Sequence, residues 1–164
     1  MRNFAYAAVI ALAATFALSA CNKSQPTDQV AAPAQVSRPT SPTDMKGWQA
    51  YLSQIVQQHM QGIQNNPYVY FVPPGDSPDN QAERGRVQDL LNGVVAATVL
   101  PGNMIVAGGP DSGKTADALI AAFKNAQPGS FKGVVVLFIG EVADRQRVQA
   151  AIAPSGADFR FAQM

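Results

Sequence analysis

The sequence predicts a single small α/β domain over residues 44–164, with a mostly parallel four-stranded sheet covered by helices. Short β-branched or aromatic runs alternate with segments of helical spacing, in the order α-β-α-β-α-β-α-β. One run, Val134 to Ile139, is continuously apolar, which is typical of a central strand buried on both faces. Because helices separate the strands, right-handed crossovers and parallel neighbours are expected, while the strand order stays open.

The first element is an amphipathic helix over residues 44–64, with Thr43 as its N-cap. Its other face is rich in glutamine. His59, the only histidine, lies on or beside the apolar stripe. We expect it at the edge of the core rather than as a metal ligand, because no second histidine exists to share a metal. The apolar stripe consists of Trp48, Tyr51, Leu52, Ile55, Val56, Met60 and Ile63.

The next pair is a strand over residues 68–72 and a helix over residues 79–97. Tyr68 and Tyr70 share one face of the strand, and we expect both to pack in the core. The helix is expected to face inward through Val87, Leu90, Leu91 and Val94. The acidic residues beside the turn and the helix start are expected to be solvated capping charges. They are Asp76, Asp79, Glu83 and Asp89.

A strand over residues 104–107 then leads through a glycine-rich turn into a helix that Asp111 or Ser112 caps and that extends to about residue 126. The strand over residues 132–139 is followed by a helix over residues 141–153. The last strand, 157–162, alternates aromatic and charged residues, and its polar face predicts a sheet edge. The helix after the turn faces inward through Ala118, Leu119, Ala122 and Phe123.

Residues 1–20 have the organisation of an export signal, with Arg2 followed by an uncharged apolar run over residues 4–17. This run is too short for a membrane span, which needs roughly twenty residues. It closes on Leu18-Ser19-Ala20-Cys21, which resembles the lipobox of bacterial lipoproteins. The resemblance covers residues 1–21 only, and the globular part is not assigned to a family.

The resemblance implies cleavage before Cys21, a diacylglycerol on its thiol and acylation of the new amino terminus. An ordinary secretory signal or a short membrane helix would leave the chain's only cysteine, at this position, unexplained. Three acyl chains would hold the protein permanently, because one chain alone binds only marginally. Asn22 follows the cysteine where aspartate favours the inner membrane. The outer membrane, facing the periplasm, is therefore expected, with the inner membrane or the cell surface as alternatives.

Residues 21–43 are rich in Ala, Pro, Gln, Ser and Thr, and we expect them to form a disordered tether that is lipidated at Cys21. Removal of residues 1–20 leaves eleven basic and eleven acidic residues. This balance argues against a nucleic-acid partner. With one histidine and no remaining thiol, the sequence predicts no catalytic set, metal site or cofactor.

Gly108-Gly109-Pro110-Asp111-Ser112-Gly113-Lys114-Thr115 matches the phosphate-binding pattern G-x-x-x-x-G-K-[ST]. In that interpretation backbone amides of the loop, which includes Gly108 and Gly113, and of the helix amino terminus would cradle phosphates. Lys114 would reach the terminal phosphates and Thr115 would hold magnesium. Glu141 would be an acidic partner for metal or water.

Four observations favour a structural turn at this motif instead. The lipobox directs the domain to a compartment that lacks ATP, and only about fifty residues follow the motif. The motif normally follows the first strand of its domain, whereas one strand precedes it here. No acidic residue lies inside the apolar strand 134–139.

The sequence therefore predicts a membrane-anchored lipoprotein of the cell envelope that acts as a non-catalytic binding or assembly module, with an envelope protein as its partner. An envelope or secretion complex is one setting for such a module. The alternative is a periplasmic domain that binds a small ligand, phosphate or nucleotide through residues 108–115.

Overall fold

The computed structural model describes residues 36–97 and 99–164. The predicted export signal, Cys21 and the first part of the predicted tether lie outside the described residues. The elements are α1 (Met45–Gln58), β1 (Tyr68–Phe71), α2 (Pro78–Ala96), β2 (Met104–Gly108), α3 (Ser112–Phe123), β3 (Val135–Gly140), α4 (Val142–Ile152), a short 3-10 helix (Ala153–Ser155) and β4 (Asp158–Gln163).

The four strands form one sheet in the order β1-β2-β3-β4, and every neighbouring pair is parallel. Each residue of β2 and β3 is buried, which agrees with the apolar run that predicted a central strand. The predicted α/β class and the alternating element order are confirmed. Strand β4 is an edge, as its polar face predicted, and β1 is the opposite edge.

Helices cover both faces of the sheet, but unequally. Helices α2, α3 and α4 share a core with Ile105, Ala107, Val136 and Phe138. Consecutive parallel strands joined by crossovers of one hand place all the connecting helices on the same face. Helix α1 precedes β1 and does not connect two strands, so the rule does not apply to it. It covers the opposite face of the sheet.

The first helix differs from its predicted bounds at both ends. Asp44, rather than Thr43, is the N-cap, and its Oδ1 accepts a hydrogen bond of 2.9 Å from the Gly47 amide. The helix ends at Gln58 instead of residue 64: His59 is the C-cap and leaves helical geometry at φ −109°, ψ 10°, and Gly62 turns the chain further at φ +79°. The amide of Gln64 then donates to the Gly102 carbonyl and ties the chain to the start of β2.

Two predicted core residues are exposed instead. Leu90 lies outside the buried stripe of α2, which consists of Val87, Leu91 and Val95. Tyr68 is exposed because β1 is an edge strand, with no neighbour beyond it in the part of the chain that the structure describes. Within the described residues, no helix is long and apolar enough to cross a membrane.

Candidate functional site

The glycine-rich segment 108–115 lies at the carboxyl edge of the sheet, where Gly108 ends β2, residues 109–111 form the turn and residues 112–115 begin α3. Its first two glycines have packing reasons. A Cβ on Gly108 would lie 2.8 Å from a methyl carbon of Leu52, and one on Gly109 would overlap the carbonyl oxygen of Val72. Small residues are thus needed here for α1 and β1 to approach the turn.

The amino terminus of α3 is closed by a side chain of the turn itself. Asp111 is the N-cap, and its Oδ1 accepts a hydrogen bond of 3.0 Å from the Lys114 amide. Thr115 is fully buried, and its Oγ1 donates to the Asp111 carbonyl oxygen at 2.9 Å. A carboxylate therefore holds one of the amides that a phosphate would need, and the threonine hydroxyl is engaged inside the domain.

Lys114 is paired with the loop between β1 and α2. Its Nζ donates to Asp76 Oδ1 at 2.8 Å, and Arg84 contacts the same carboxylate oxygen at 3.0 Å. The hydrogen bond from Lys114 is the main reason that the pKa of Asp76 is lowered, and Arg84 adds to it. The pair is solvent-exposed at the carboxylate, so its contribution to stability is small.

A second polar network, which the sequence did not predict, joins the start of α3 to α4. Ser112 Oγ donates to Asp144 and accepts a hydrogen bond of 2.8 Å from the Glu141 amide. Arg147 bridges Asp144 and Asp117. The bond from Ser112 is the main cause of the lowered pKa of Asp144. The arginine three residues after an aspartate in α4 was the one local signal.

Glu141, the predicted acidic partner of the turn, is engaged elsewhere. Its Oε1 pairs at 2.8 Å with Arg38, which belongs to the segment 36–43 before α1. Arg38 also lies over the Trp48 ring, 5.9 Å from its centroid, and Trp48 Nε1 donates to the Ser41 carbonyl oxygen at 3.0 Å. Residues 36–43, which the sequence assigns to the tether, thus contact the domain.

The remaining candidates do not join this region. His59 is the C-cap of α1, half-buried, with Nδ1 2.8 Å from the Ile55 carbonyl oxygen. Among the described residues, no group of three metal-ligating side chains comes together. Gly108 is the last residue of β2, whereas Gly113, Lys114 and Thr115 lie in the first turn of α3.

A groove of about 510 Å³ follows the open edge of β1, between the starts of α1 and α2. Apolar side chains on or beside it are half-exposed: Met45 at 47%, Tyr68 at 45%, Val69 at 47% and Leu90 at 61%. The one charged residue in its lining is Glu83, which pairs with Arg86. A mostly apolar surface strip of this kind is typical of a protein-binding surface.

The edge of β1 also presents backbone hydrogen-bonding groups. Val72 donates its amide to Gly108 of β2, so alternate residues of β1 bond inward in the parallel ladder. Val69 and Phe71 therefore direct their N–H and C=O groups away from the sheet. The open stretch is short, because Pro67 precedes the strand and Pro73 follows soon after it.

Comparison of the chain with protein-family models, curated proteins and solved structures finds no match.

Proposed function

We propose that this protein is a lipid-anchored lipoprotein of the cell envelope that acts as a non-catalytic binding or assembly module, with the groove along β1 as its protein-binding surface. The observation that carries the proposal is this groove, where half-exposed apolar side chains flank backbone groups that have no partner among residues 36–97 and 99–164. Edge strands left open in this way pair readily with another chain, and natural domains normally block them.

The engagement of the polar candidates supports this choice over the phosphate-binding alternative. Asp111 caps α3, Lys114 is paired with Asp76, and Glu141 is paired with Arg38. A phosphate at the start of α3 would approach the Asp111 carboxylate and would have to compete with Asp76 for Lys114. The alternative therefore depends on the sequence motif alone.

The anchor and the location are part of the proposal and depend on Cys21 and its lipobox. Lipids on Cys21 would hold the domain at the outer membrane, on the side facing the periplasm. Mass spectrometry of the amino-terminal peptide tests this directly. We expect a chain that begins at an acylated Cys21, and a Cys21→Ser variant that leaves the membrane fraction. An unmodified cysteine, or a variant as membrane-bound as the parent, would contradict the anchor.

The groove is tested by pull-down from detergent-solubilised membranes with the parent and two matched variants. Leu90→Glu places a charge in the groove, and Gln149→Glu places the same charge at an exposed position of α4. We expect a protein that copurifies with the parent and with Gln149→Glu but not with Leu90→Glu. Equal recovery with Leu90→Glu would contradict the groove as the binding surface. A parallel thermal-shift panel of nucleotides and sugar phosphates should give no shift.

A further inference from the structure

We propose that the β1 edge pairs with the β1 edge of a second copy of this chain, across a two-fold axis at Tyr70, so that two sheets join into one. The inference rests on the proposed function, because it names the partner of the same groove. An isologous contact of this kind is the commonest way in which identical chains associate. The backbone pattern of β1, the charge along its edge and the exposed apolar area beside it each bear on whether a second copy is the partner.

The backbone of β1 is self-complementary about Tyr70. The outward N–H and C=O groups belong to Val69 and Phe71, one residue on either side of it. In an antiparallel pair, Val69 of one copy would face Phe71 of the other, and the reverse, which allows four hydrogen bonds. The two Tyr70 residues would form a non-hydrogen-bonded pair, with Cα atoms about 4.5 Å apart. Pro67 and Pro73 would limit both strands to the same length.

The charge distribution allows two identical edges to meet. A two-fold axis brings like residues together, so a charged edge strand would repel its own copy. Strand β1 contains no charged residue, and Glu83 beside it is paired with Arg86. Strand β4, the other edge, carries Asp158 and Arg160, as protected edges commonly do. The neutral edge is therefore the one suited to self-pairing.

The exposed area points to a weak dimer. Four half-exposed large side chains offer on the order of 400 Å² per copy, against about 800 Å² per partner in a stable interface. Pairing should therefore be weak in dilute solution. Anchoring to one membrane would raise the effective concentration of the chains and favour the dimer. A covalent trap is thus the appropriate measurement.

The test uses the full chain with Cys21→Ser, which removes the native thiol, purified in mild detergent. Tyr70→Cys is compared with Gln163→Cys on the opposite edge under the same mild oxidation. Paired residues at position 70 would meet the Cα separation that a disulfide requires. Tyr70 is half-buried and Gln163 is exposed, so random collisions would favour the control. We expect the Tyr70→Cys dimer to form at least about ten-fold faster. An equal or slower rate would overturn the proposal.

Further variants test the register and guard against a folding defect. Val69→Lys, added to Tyr70→Cys, should suppress the dimer, whereas Val69→Thr should not, because only lysine introduces like charges near the axis. A mixture of Val69→Cys and Phe71→Cys chains should cross-link with each other faster than either does alone. This mixture leaves Tyr70 in place, so it also decides the matter if Tyr70→Cys fails to fold. Failure of the mixture to cross-link preferentially would overturn the proposed register and the dimer with it.

The proposed function and the dimer can fail separately. In cells, a photo-reactive residue at position 69 should give an adduct of twice the chain mass. An adduct with a different protein only would overturn the dimer and leave the binding function standing. No adduct at all would overturn both, while the lipid anchor would still be decided by the amino-terminal peptide.

Discussion

The carboxyl edge of the sheet and the open edge of β1 differ in whether their binding groups are already engaged within the chain. At the carboxyl edge, Asp111, Lys114 and Glu141 each have a partner within the chain. Along β1, backbone groups and half-exposed apolar side chains have none among the described residues. The region with the recognisable motif is thus internally engaged, whereas the region without a motif offers surface. A motif indicates which residues are adjacent, and the surrounding contacts determine what those residues can still bind.

Gly109→Ala should have the largest effect on stability and would test whether the turn is structural. The added Cβ would overlap the Val72 carbonyl oxygen, a backbone atom that cannot move aside easily. We expect a loss of about 3 kcal/mol in the free energy of unfolding, measured with urea. Gly85→Ala in α2 is the matched control, because nothing lies within 4 Å of its added Cβ. It should gain about 0.5–1 kcal/mol. Equal effects at both positions would contradict a structural role for the turn.

Ser112→Ala should cost about 1–3 kcal/mol near neutral pH, because it removes the donor to Asp144 and leaves the Glu141 amide without its acceptor. Ser130→Ala, at an exposed hydroxyl that donates to the Gln127 carbonyl, is the control and should cost less. Urea unfolding of both variants decides between them. If Ser112→Ala leaves the free energy of unfolding unchanged, the polar network between α3 and α4 does not stabilise the domain.

The same variant should change the pH dependence of stability. The pKa of folded Asp144 is lowered, with the Ser112 hydrogen bond as the first cause. A lowered pKa contributes stability above the unfolded value, about 3.9, and that stability is lost as pH falls through the folded value. The difference between parent and Ser112→Ala should therefore be largest above about pH 5 and narrow in acid. A difference that grows in acid would contradict this assignment.

Lys114→Ala should leave the free energy of unfolding nearly unchanged, because its ion pair with Asp76 is exposed. Nucleotides and inorganic phosphate should leave the melting temperature of both proteins unchanged. A saturable shift in the parent that disappears in Lys114→Ala would show that the phosphate-binding interpretation is right. Lys124→Ala, at the exposed end of α3, controls for the loss of a charge.

Val69→Thr should have the smallest effect on stability, within about 0.5 kcal/mol, because the side chain is half-exposed on an edge strand. Urea unfolding checks this value. Ile105→Thr is the comparison variant. Ile105 is fully buried in the neighbouring strand, so the threonine hydroxyl would be buried and the domain should be strongly destabilised. Similar losses at both positions would mean that the β1 edge is part of the core rather than a free surface.

The sequence predicted the elements well wherever the signal was local. The apolar run Val134 to Ile139 indicated a central strand, and Asp111 was one of two expected caps of α3. The exposure of Tyr68 and Leu90 was not predictable, because it depends on the strand order that makes β1 an edge. The pairing of Lys114 with Asp76, 38 residues earlier, is likewise a product of the tertiary fold. The groove therefore had no signal that could be read along the chain.

Photo-cross-linking in intact cells tests whether the domain binds protein through the β1 groove. A photo-reactive amino acid is introduced at Leu90 in the groove or, in a separate strain, at Gln149 on exposed α4. We expect a discrete protein adduct from position 90 that is lost when Val69→Lys is added, and no adduct from position 149. Equal adducts from both positions, or an adduct from position 90 that survives Val69→Lys, would contradict the account.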